Sequence, residues 1–519
     1  MGNERDELLI TTNDRQAVNL LMTEDSLIVT RRKTTPLGGV SSHLRISKAS
    51  SSIKRFPFVQ VLSATCTPSS STQSATTVTV TAVYSKNPQK PAKLWSLTGT
   101  AYLGDVEHGD DRNKPLEWCV KQRQRRLRVI VNPHGGKGKG KQLFNETVAP
   151  VFKAAGCHVT IDYTGPPDST QNARNYGRDH KYDDYDVLVP VSGDGIVHEL
   201  LNGLAARSDA KTALHRTVIC PIPAGSGNAL QVNLEGPERA NDCVWAALAV
   251  VKGKELAMDL CSVTQGTKRS VSFLTQAVGL MADLDLGTEH MRWIGEVRFT
   301  LGYIQGAITR KTYPFEIAVN IAPEGTDKIA MAQTFNDARN TGLTKTAING
   351  CTTDEDQSLP ELKFGSVLDP LTELEGAQHH TDLPKTLSPG WHVIKSRIAW
   401  AYGGKLPFVS QDLKLFPPAT GDNGLVDLAV MPPVGRIAAL TGMDGSEEGS
   451  IFWNPEVRYY RCSAFRLTPL NPGGYISVDG EKVAHEPFQV EVHQGLARCM
   501  SLDGKFWSKP LKSPENAKA

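Results

Sequence analysis

The sequence predicts an α/β fold in which a doubly wound domain lies between two β-rich regions. From residue 127 onward, strand-like and helix-like segments alternate. The continuous apolar run at residues 187–191 is typical of a buried parallel strand. A glycine-containing loop follows each of three predicted strands, and parallel strands place such loops at one edge of a sheet.

The elements of this domain follow from hydrophobic periodicity. Helical spacing after residue 143 ends at Gly156, a typical C-cap residue. The predicted elements are strands at 127–131, 159–163, 187–191 and 218–222, and helices at 143–155, at 196–207 and from 228 onward.

The flanking regions differ in character. Residues 1–120 contain β-like stretches at 26–30 and 77–84 separated by a Ser/Thr-rich stretch, 63–74, that predicts a loop. Beyond residue 260 we expect strands at 272–278, 315–321 and 425–431. The polar segment 322–384 predicts a largely disordered surface insertion, and 508–519 a frayed tail.

Composition restricts the class of protein. The 519 residues carry a formal net charge of +2, which implies no general attraction to nucleic acid. Nine dispersed cysteines without a C-x-x-C pair argue against a disulfide framework or structural zinc and favour a cytoplasmic protein. No apolar run approaches the roughly 18 residues that a membrane-spanning helix needs.

The loop at residues 132–141, NPHGGKGKGK, has the chemistry of a phosphate site. Four glycines permit close approach of the backbone to an anion, three lysines add charge, and a helix begins at its end. The loop lacks the Walker A pattern. The alternative is a flexible basic linker.

Two further loops follow predicted strands. Residues 192–195, Ser-Gly-Asp-Gly, place one carboxylate beside the phosphate site, where it would serve a metal or accept a proton. The alternative is an Asp-Gly turn that caps a helix. Residues 223–228 form the third loop, and Glu199 and Asn202 either orient Asp194 or a ribose or are solvated.

Six motifs in one order carry a family resemblance. They are VNPHGGKGKGKQLF from Val131, PVSGDGIVHELLNGL from Pro190, PIPAGSGNAL from Pro221, ADLDLGTEHMRWIGEVRFTLG from Ala282, GLVDLAV from Gly424 and YISVDGE from Tyr475. They resemble the diacylglycerol kinase catalytic superfamily and, within it, sphingosine (long-chain base) kinases, particularly those of fungi and plants. The resemblance implies a Rossmann-like nucleotide-binding domain over 124–260, an antiparallel β-sandwich lipid-binding domain over 261–507, and an accessory β region over 1–120.

The resemblance also implies an activity: ATP- and Mg²⁺-dependent phosphorylation of the primary hydroxyl of sphingosine, dihydrosphingosine or phytosphingosine. It makes Asp194 the general base and assigns no metal-ligating side chain. The nucleotide-binding residues that it implies are Asn132, Pro133, His134, Gly135, Gly136, Lys137, Lys139, Thr164, Ser192, Gly193, Gly195, Glu199, Gly225, Ser226, Gly227, Arg292, Arg298, Asp479, Gly480 and Glu481.

Asp285 matches the family residue that contacts the sphingoid head group. A carboxylate in an apolar lipid pocket is costly unless its partner is a cation, which sphingoid bases provide and ceramide and diacylglycerol do not. Its alternative is solvation on a helix surface beside Asp283. The implied substrate contacts are Ser192, Gly193, Asp194, Gly195 and Asp285.

Departures and alternatives remain. The spacing after Thr164 is longer than in the family, and Trp293 replaces a basic residue. Competing hypotheses are a ceramide or diacylglycerol kinase, an NAD kinase (which shares a Gly-Gly-Asp-Gly loop), and a catalytically silent lipid-binding scaffold. The expected partners are a sphingoid base and an intracellular membrane surface, contacted peripherally. The basic run 121–128 is either a headgroup contact or a solvated approach to a strand, and a homodimer stays open.

Overall fold

The computed structural model describes most of the chain between residues 7 and 512. The described residues are 7–14, 16–32, 52–68, 75–87, 90–102, 124–136, 138–166, 169–287, 309, 311–341, 358–370, 376–442 and 444–512. The chain divides into two compact units. One consists of Met1–Arg126, Leu143–Val159 and Asp242–Lys252, and the other of Leu127–Gln142, Thr160–Asn241 and Gly253–Ala519. The domain boundaries expected from the sequence stay a prediction.

The first unit contains an antiparallel sheet of seven strands in the order β4-β3-β2-β1-β7-β6-β5. The strands are β1 (Glu7–Thr12), β2 (Ala17–Met22), β3 (Ser26–Arg32), β4 (Ser52–Pro57), β5 (Val61–Pro68), β6 (Ala75–Tyr84) and β7 (Lys93–Tyr102). The expected N-terminal β region is therefore confirmed. The loop predicted over 63–74 is wrong for 63–68, because β5 pairs with β6 from Val61 to Pro68 and buries Ala64 between polar neighbours.

The second sheet is mixed. Its strands are β8 (Arg126–Val131), β9 (His158–Tyr163), β10 (Val187–Ser192), β11 (Val218–Ile219), β12 (Ile222–Pro223), β13 (Lys254–Gln265), β14 (Lys268–Ser272), β15 (Thr275–Gly279), β16 (Tyr313–Ile321), β17 (Gln378–His380), β18 (Gly390–Ile398), β19 (Trp400–Gly404), β20 (Val426–Met431), β21 (Arg458–Pro469), β22 (Ile476–Val478), β23 (Glu481–Val483) and β24 (Phe488–Ser501). β10 is parallel to β8, β11 and β12, whereas β13 and β21 run antiparallel to β24.

This sheet joins what the sequence had assigned to two domains. β24 pairs in parallel with β11 and antiparallel with β13, so it connects the parallel strands to the antiparallel ones. The α/β class is confirmed as a mixed parallel and antiparallel sheet with helices. The finer division into a doubly wound domain and a separate β-sandwich stays a prediction.

Helices connect many of the strands. They are α1 (Gly140–Leu143), a π-helical turn (Phe144–Val148), α2 (Ala149–Ala154), α3 (Ala173–Arg178), α4 (Asp194–Ala205), α5 (Ala210–Arg216), α6 (Ala229–Glu235), α7 (Cys243–Lys252), α8 (Leu280–Gly287), α9 (Lys328–Thr341), α10 (Arg436–Thr441) and α11 (Ser450–Trp453), with 3-10 turns at Phe58–Gln60, Pro237–Arg239 and Ser446–Glu448. α4 is amphipathic, and its apolar side chains pack with Leu188 of β10 in one buried cluster. Within the described residues, the structure has no helix with the length and apolarity needed to span a bilayer.

Two predicted strands are interrupted. Residues 218–222 form the short strands β11 and β12, and the predicted strand over 272–278 divides into β14 and β15. The second interruption has a clear cause, because the backbone N–H groups of Phe273, Leu274 and Thr275 all turn toward the Asp479 carboxylate.

The insertion predicted over 322–384 is ordered in its described parts, so the expectation of disorder is wrong there. It contains α9 and β17, and β17 pairs with β18. Arg466 donates to the carbonyl oxygens of Asp369 (2.6 Å) and Ser366 (2.8 Å). Glu491 accepts from the N–H groups of Lys363 and Phe364. Buried polar side chains of the sheet thus hold this polar segment in place. The predicted tail is likewise anchored at Leu511, whose N–H donates to Asn336 (2.9 Å).

A buried ion pair stabilises the second sheet. The Lys405 Nζ lies 2.8 Å from an Asp259 carboxylate oxygen, and both side chains are almost fully excluded from solvent. Lys405 also donates to Thr420 O and Asn423 Oδ1, while Asp259 accepts from the N–H groups of Gly424 and Gly495. Such a pair is tolerated only because its hydrogen-bonding capacity is used fully.

We predict that Lys405→Ala lowers the free energy of unfolding by about 3–5 kcal/mol, because it leaves the Asp259 charge buried without its cation. Lys395→Ala is the control, since Lys395 pairs with Glu316 at 2.9 Å but is 67% exposed. Its loss should cost less than about 1 kcal/mol. Urea denaturation measures both variants, and equal effects would contradict the assignment.

Candidate functional site

Three loops meet at the edge of the mixed sheet where β8, β10 and β12 end. These strands are parallel, so their carboxyl ends point the same way. The Asn132 N–H donates to Val191 O (3.2 Å), and the Ala224 N–H donates to Ser192 O (3.1 Å). The structure therefore brings together the three loops that the sequence singled out, at 132–141, 192–195 and 223–228.

Glycine is required where these loops touch. A Cβ added to Gly225 would lie 2.3 Å from the Gly193 Cα, and one added to Gly193 would lie 2.5 Å from Gly227 O. At Gly136, where φ is +58°, a Cβ would lie 2.6 Å from Ala224 O. Contacts this short exclude any side chain. The three loops are thus packed backbone against backbone.

The first loop is shaped by Asn132. Its Oδ1 accepts the N–H of His134 (3.0 Å), and its Nδ2 donates to the Ser192 Oγ (3.3 Å). Gly138 has φ of +72° and open space where a Cβ would stand. Lys139 is exposed, and Lys137 lies outside the described residues. A glycine loop with an exposed backbone and the exposed Lys139 side chain is suited to bind a phosphate.

Asp194 lies between the second and third loops. Its Oδ2 accepts the N–H of Ala229 (2.7 Å) and its Oδ1 accepts that of Leu230 (3.0 Å), so the carboxylate caps α6. Burial raises the pKa of Asp194 to about 6, although the two N–H groups counteract it, and the charge of Asp479 raises it further. A carboxylate with this pKa is ionised at neutral pH and basic enough to accept a proton in a reaction. Asp194 can therefore cap α6 and also accept a proton.

The segment 479–481 returns to these loops, but its residues differ in role. Asp479 is buried, and its carboxylate accepts hydrogen bonds from the Ser272 hydroxyl (2.6 Å) and from three successive backbone N–H groups. Hydrogen bonds within the protein therefore engage both oxygens of its carboxylate. A Cβ on Gly195 would lie 3.3 Å from the Glu481 Oε1. Gly480 and Glu481 complete this segment, and the nucleotide contacts expected of its three residues stay a prediction.

The other predicted nucleotide residues that the structure describes differ in burial. Glu199 is half-buried, and its Oε2 accepts the N–H of Ala173 (3.2 Å) where α3 begins. Thr164 is buried, and its N–H donates to Val131 O (2.9 Å) beside the first loop. Ser226 is exposed on the third loop. Arg292 and Arg298 lie outside the described residues.

Asp285 and Asp283 lie on α8 in different surroundings. Asp283 pairs with Lys311 Nζ (2.5 Å) and accepts from the Tyr313 hydroxyl (2.6 Å). Asp285 instead accepts from the Ser477 hydroxyl of β22, two residues before Asp479. Four apolar residues of α8, Leu280, Met281, Ala282 and Leu284, are buried with Trp400 and Phe416 in one cluster. Asp285 is therefore a partly buried carboxylate beside an apolar core, connected through β22 to the loop edge.

Sequence reasoning missed His198. Its Nδ1 lies 2.9 Å from the Asp479 Oδ2. The signal was its position four residues after Asp194, which places both side chains on one face of a helix. Asn202, one turn later, is buried, and it bonds to the backbone of Val271 through both its Nδ2 (2.8 Å) and its Oδ1 (2.9 Å).

Comparison with known families agrees with this arrangement. Residues 126–263 match the family model described as the diacylglycerol kinase catalytic domain. The chain contains a diacylglycerol kinase catalytic domain. The matched residues include all three loops.

The chain is also similar to curated sphingoid base kinases. It is 29% identical over 386 residues to Sphingoid long chain base kinase 4 of Schizosaccharomyces pombe, covering 73% of this chain and 76% of that protein. It is 31% identical over 425 residues to Sphingoid long chain base kinase 5 of Saccharomyces cerevisiae, covering 74% of this chain and 60% of that protein. Sphingosine kinase 1 of Arabidopsis thaliana is 28% identical over 401 residues, with coverages of 73% and 76%. The resemblance to fungal and plant members is confirmed.

We predict that Gly225→Ala destabilises the protein by about 1–3 kcal/mol, because its Cβ has no space beside Gly193. The control is Gly227→Ala, in the same loop, where the added Cβ would make an ordinary contact of 3.5 Å with the Asp194 Oδ2. Thermal denaturation of both variants measures the difference. If Gly227→Ala were the more destabilising substitution, the packing of the loops would be wrong.

Proposed function

We propose that this protein is an ATP-dependent sphingoid base kinase that phosphorylates the primary hydroxyl of sphingosine, dihydrosphingosine or phytosphingosine. The observation that carries this proposal is the Asp194 carboxylate, which has a pKa of about 6 and lies where three glycine loops meet. The names of the similar fungal and plant proteins support the same activity.

The loops suit a nucleoside triphosphate. Their backbones are bare of side chains at Gly136 and Gly138, and Lys139 is an exposed cation on the same loop. The described residues hold no group of three or more His, Cys, Asp or Glu side chains arranged for a metal ion. Magnesium in such enzymes is typically bound by phosphates, water and one or two carboxylates, and Glu481, which lies beside Gly195, would be such a carboxylate. Magnesium supplies charge neutralisation on the phosphates.

Asp194 acts on the lipid hydroxyl in this proposal. Its carboxylate accepts the hydroxyl proton as the new oxygen–phosphorus bond forms and the bond between the transferred phosphorus and the nucleotide breaks. The N–H groups of Ala229 and Leu230 fix the orientation of the carboxylate. Phosphoryl transfer depends mainly on positioning and charge stabilisation, so a rigid loop cluster is the appropriate scaffold.

Asp285 supports a cationic substrate. Asp285 is a partly buried carboxylate beside the apolar cluster of α8, and it accepts from the Ser477 hydroxyl. The ammonium group of a sphingoid base would pair with Asp285, and neither ceramide nor diacylglycerol offers that charge. Such a lipid would be taken from a membrane surface, which the protein contacts peripherally.

We predict that Asp194→Asn lowers kcat with sphingosine by about 10²–10⁴-fold, the usual contribution of a general base. ATP binding, measured by calorimetry, should change little, because the glycines and Lys139 of the first loop are unaltered and the asparagine Oδ1 still accepts one of the two α6 N–H groups. The assay is transfer of radiolabelled phosphate from ATP. Asp209→Asn is the control, since Asp209 pairs with Arg207 outside the site. An unchanged kcat in Asp194→Asn would show that Asp194 is not the general base.

We predict that Asp285→Asn lowers kcat/KM for sphingosine at least about tenfold, because the ammonium group loses its counter-charge. The matched control is Asp283→Asn on the same helix, which should keep the preference for sphingosine. The same assay compares sphingosine, ceramide and diacylglycerol as substrates. Undiminished preference for sphingosine in Asp285→Asn would contradict recognition of the amine, and preference for a neutral lipid in the wild type would favour a ceramide or diacylglycerol kinase.

A further inference from the structure

One face of α4 carries three polar side chains at helical spacing. Asp194, His198 and Asn202 are four residues apart, and each bonds to a different segment. Asp194 accepts from the first N–H groups of α6, His198 contacts Asp479, and Asn202 bonds to the backbone of Val271 in β14. This face therefore attaches the helix of the catalytic base to three other segments of the second unit.

Asp479 forms a fixed anchor for this attachment. Its Oδ1 accepts from the Ser272 hydroxyl and from the N–H groups of Leu274 and Thr275, and its Oδ2 accepts from that of Phe273. Its own N–H donates to Thr275 O (2.8 Å). The carboxylate therefore stays in place without His198. What His198 adds is the link from this anchor to α4.

The direction of the histidine bond is determined by chemistry. An ionised carboxylate has no proton to donate, so the Nδ1 of His198 is the donor to Asp479. The atom that titrates is then Nε2, which lies 3.2 Å from the Asn202 Nδ2. That amide also donates to the carbonyl oxygens of His198 and Val271, so it does not depend on Nε2 as its acceptor.

Three carboxylates surround His198. Burial disfavours its protonated form, but the hydrogen bond that it donates to Asp479 and the charges of Asp479, Glu481 and Glu199 outweigh this, and the pKa of His198 is raised above its usual 6.5. Asp479 also raises the pKa of Asp194. His198 therefore lies beside the carboxylate whose charge raises the pKa of the base.

We propose that His198 is a positioning residue that ties the helix of Asp194 to the Asp479 anchor and balances the Asp479 charge close to the base. This inference rests on the proposed function for its catalytic consequence. The tie itself is independent of activity, because it is a property of the folded chain.

Two substitutions separate the effect of the hydrogen bond to Asp479, which is the tie, from the effect of the positive charge on His198. His198→Asn keeps an N–H donor close to the position of Nδ1 but cannot be protonated, whereas His198→Ala removes both. His215→Asn is the control, since His215 lies on α5 and contacts Arg498 (2.5 Å) away from the loops. Urea denaturation establishes that each variant is folded.

Hydrogen–deuterium exchange tests the tie. In His198→Ala, the amides of α4 and of residues 476–483 should exchange at least about threefold faster than in the wild type, because local opening is easier without the link. In His198→Asn they should exchange at nearly the wild-type rate. A His198→Ala chain that fails to fold beside a folded His198→Asn chain would support the tie as well. Equal exchange in His198→Ala and the wild type would overturn it.

The pH dependence of kcat/KM tests the charge. Asp194 acts in its ionised form, so activity falls as the pH drops through its pKa of about 6. At that pH the wild-type His198 is protonated and offsets Asp479. In His198→Asn no positive charge offsets Asp479, so the pKa of Asp194 rises. The acidic limb of the profile, where kcat/KM falls as the pH drops, should therefore move upward by about half to one pH unit. His215→Asn should leave the limb in place.

The outcomes separate this inference from the proposed function. If kcat/KM of His198→Asn falls at the same acidic pH as that of the wild type, the charge-balancing role is overturned. A purely structural role would change the rate equally at all pH values. A wild type that phosphorylates no lipid would refute the proposed function, and the exchange experiment would still decide the tie.

Discussion

The site depends on one steric constraint, the close contact of three loops at the end of β8, β10 and β12. Between Gly193 and Gly225 there is no space for even one methyl group. Because β10 is fully buried and parallel to both neighbours, its end is fixed, and the backbones of the other loops pack directly on it. This packing leaves backbone and exposed cations facing outward, and it holds Asp194 at the junction.

Buried carboxylates are used in two ways around this edge. Asp259 and Asp479 have their oxygens occupied by backbone N–H groups and by Lys405 or His198, so they are part of the scaffold. Asp194 has two N–H donors, burial raises its pKa to about 6, and it stays partly exposed. That difference is what distinguishes a residue able to exchange a proton from residues that support it.

Local patterns predicted much of this arrangement. The apolar run that became β10 and the glycines at each strand end were sufficient to place all three loops. Long-range partners were not visible: the N–H groups that bind the Asp479 carboxylate belong to residues 273–275, some 200 positions earlier in the chain. The order of the described parts of 322–384 depends on Arg466 and Glu491, which are distant in sequence. Ser/Thr-rich β5 was missed because its pairing with β6, and not its composition, makes it a strand.

The most direct test of the central claim is a crystal structure of the protein with a non-hydrolysable ATP analogue and magnesium. The account predicts that the phosphates contact the backbone of residues 135–139 and 225–227, with the Asp194 carboxylate facing the terminal phosphate from the lipid side. A nucleotide bound away from these loops, or a terminal phosphate that Asp194 cannot approach through a substrate hydroxyl, would contradict it.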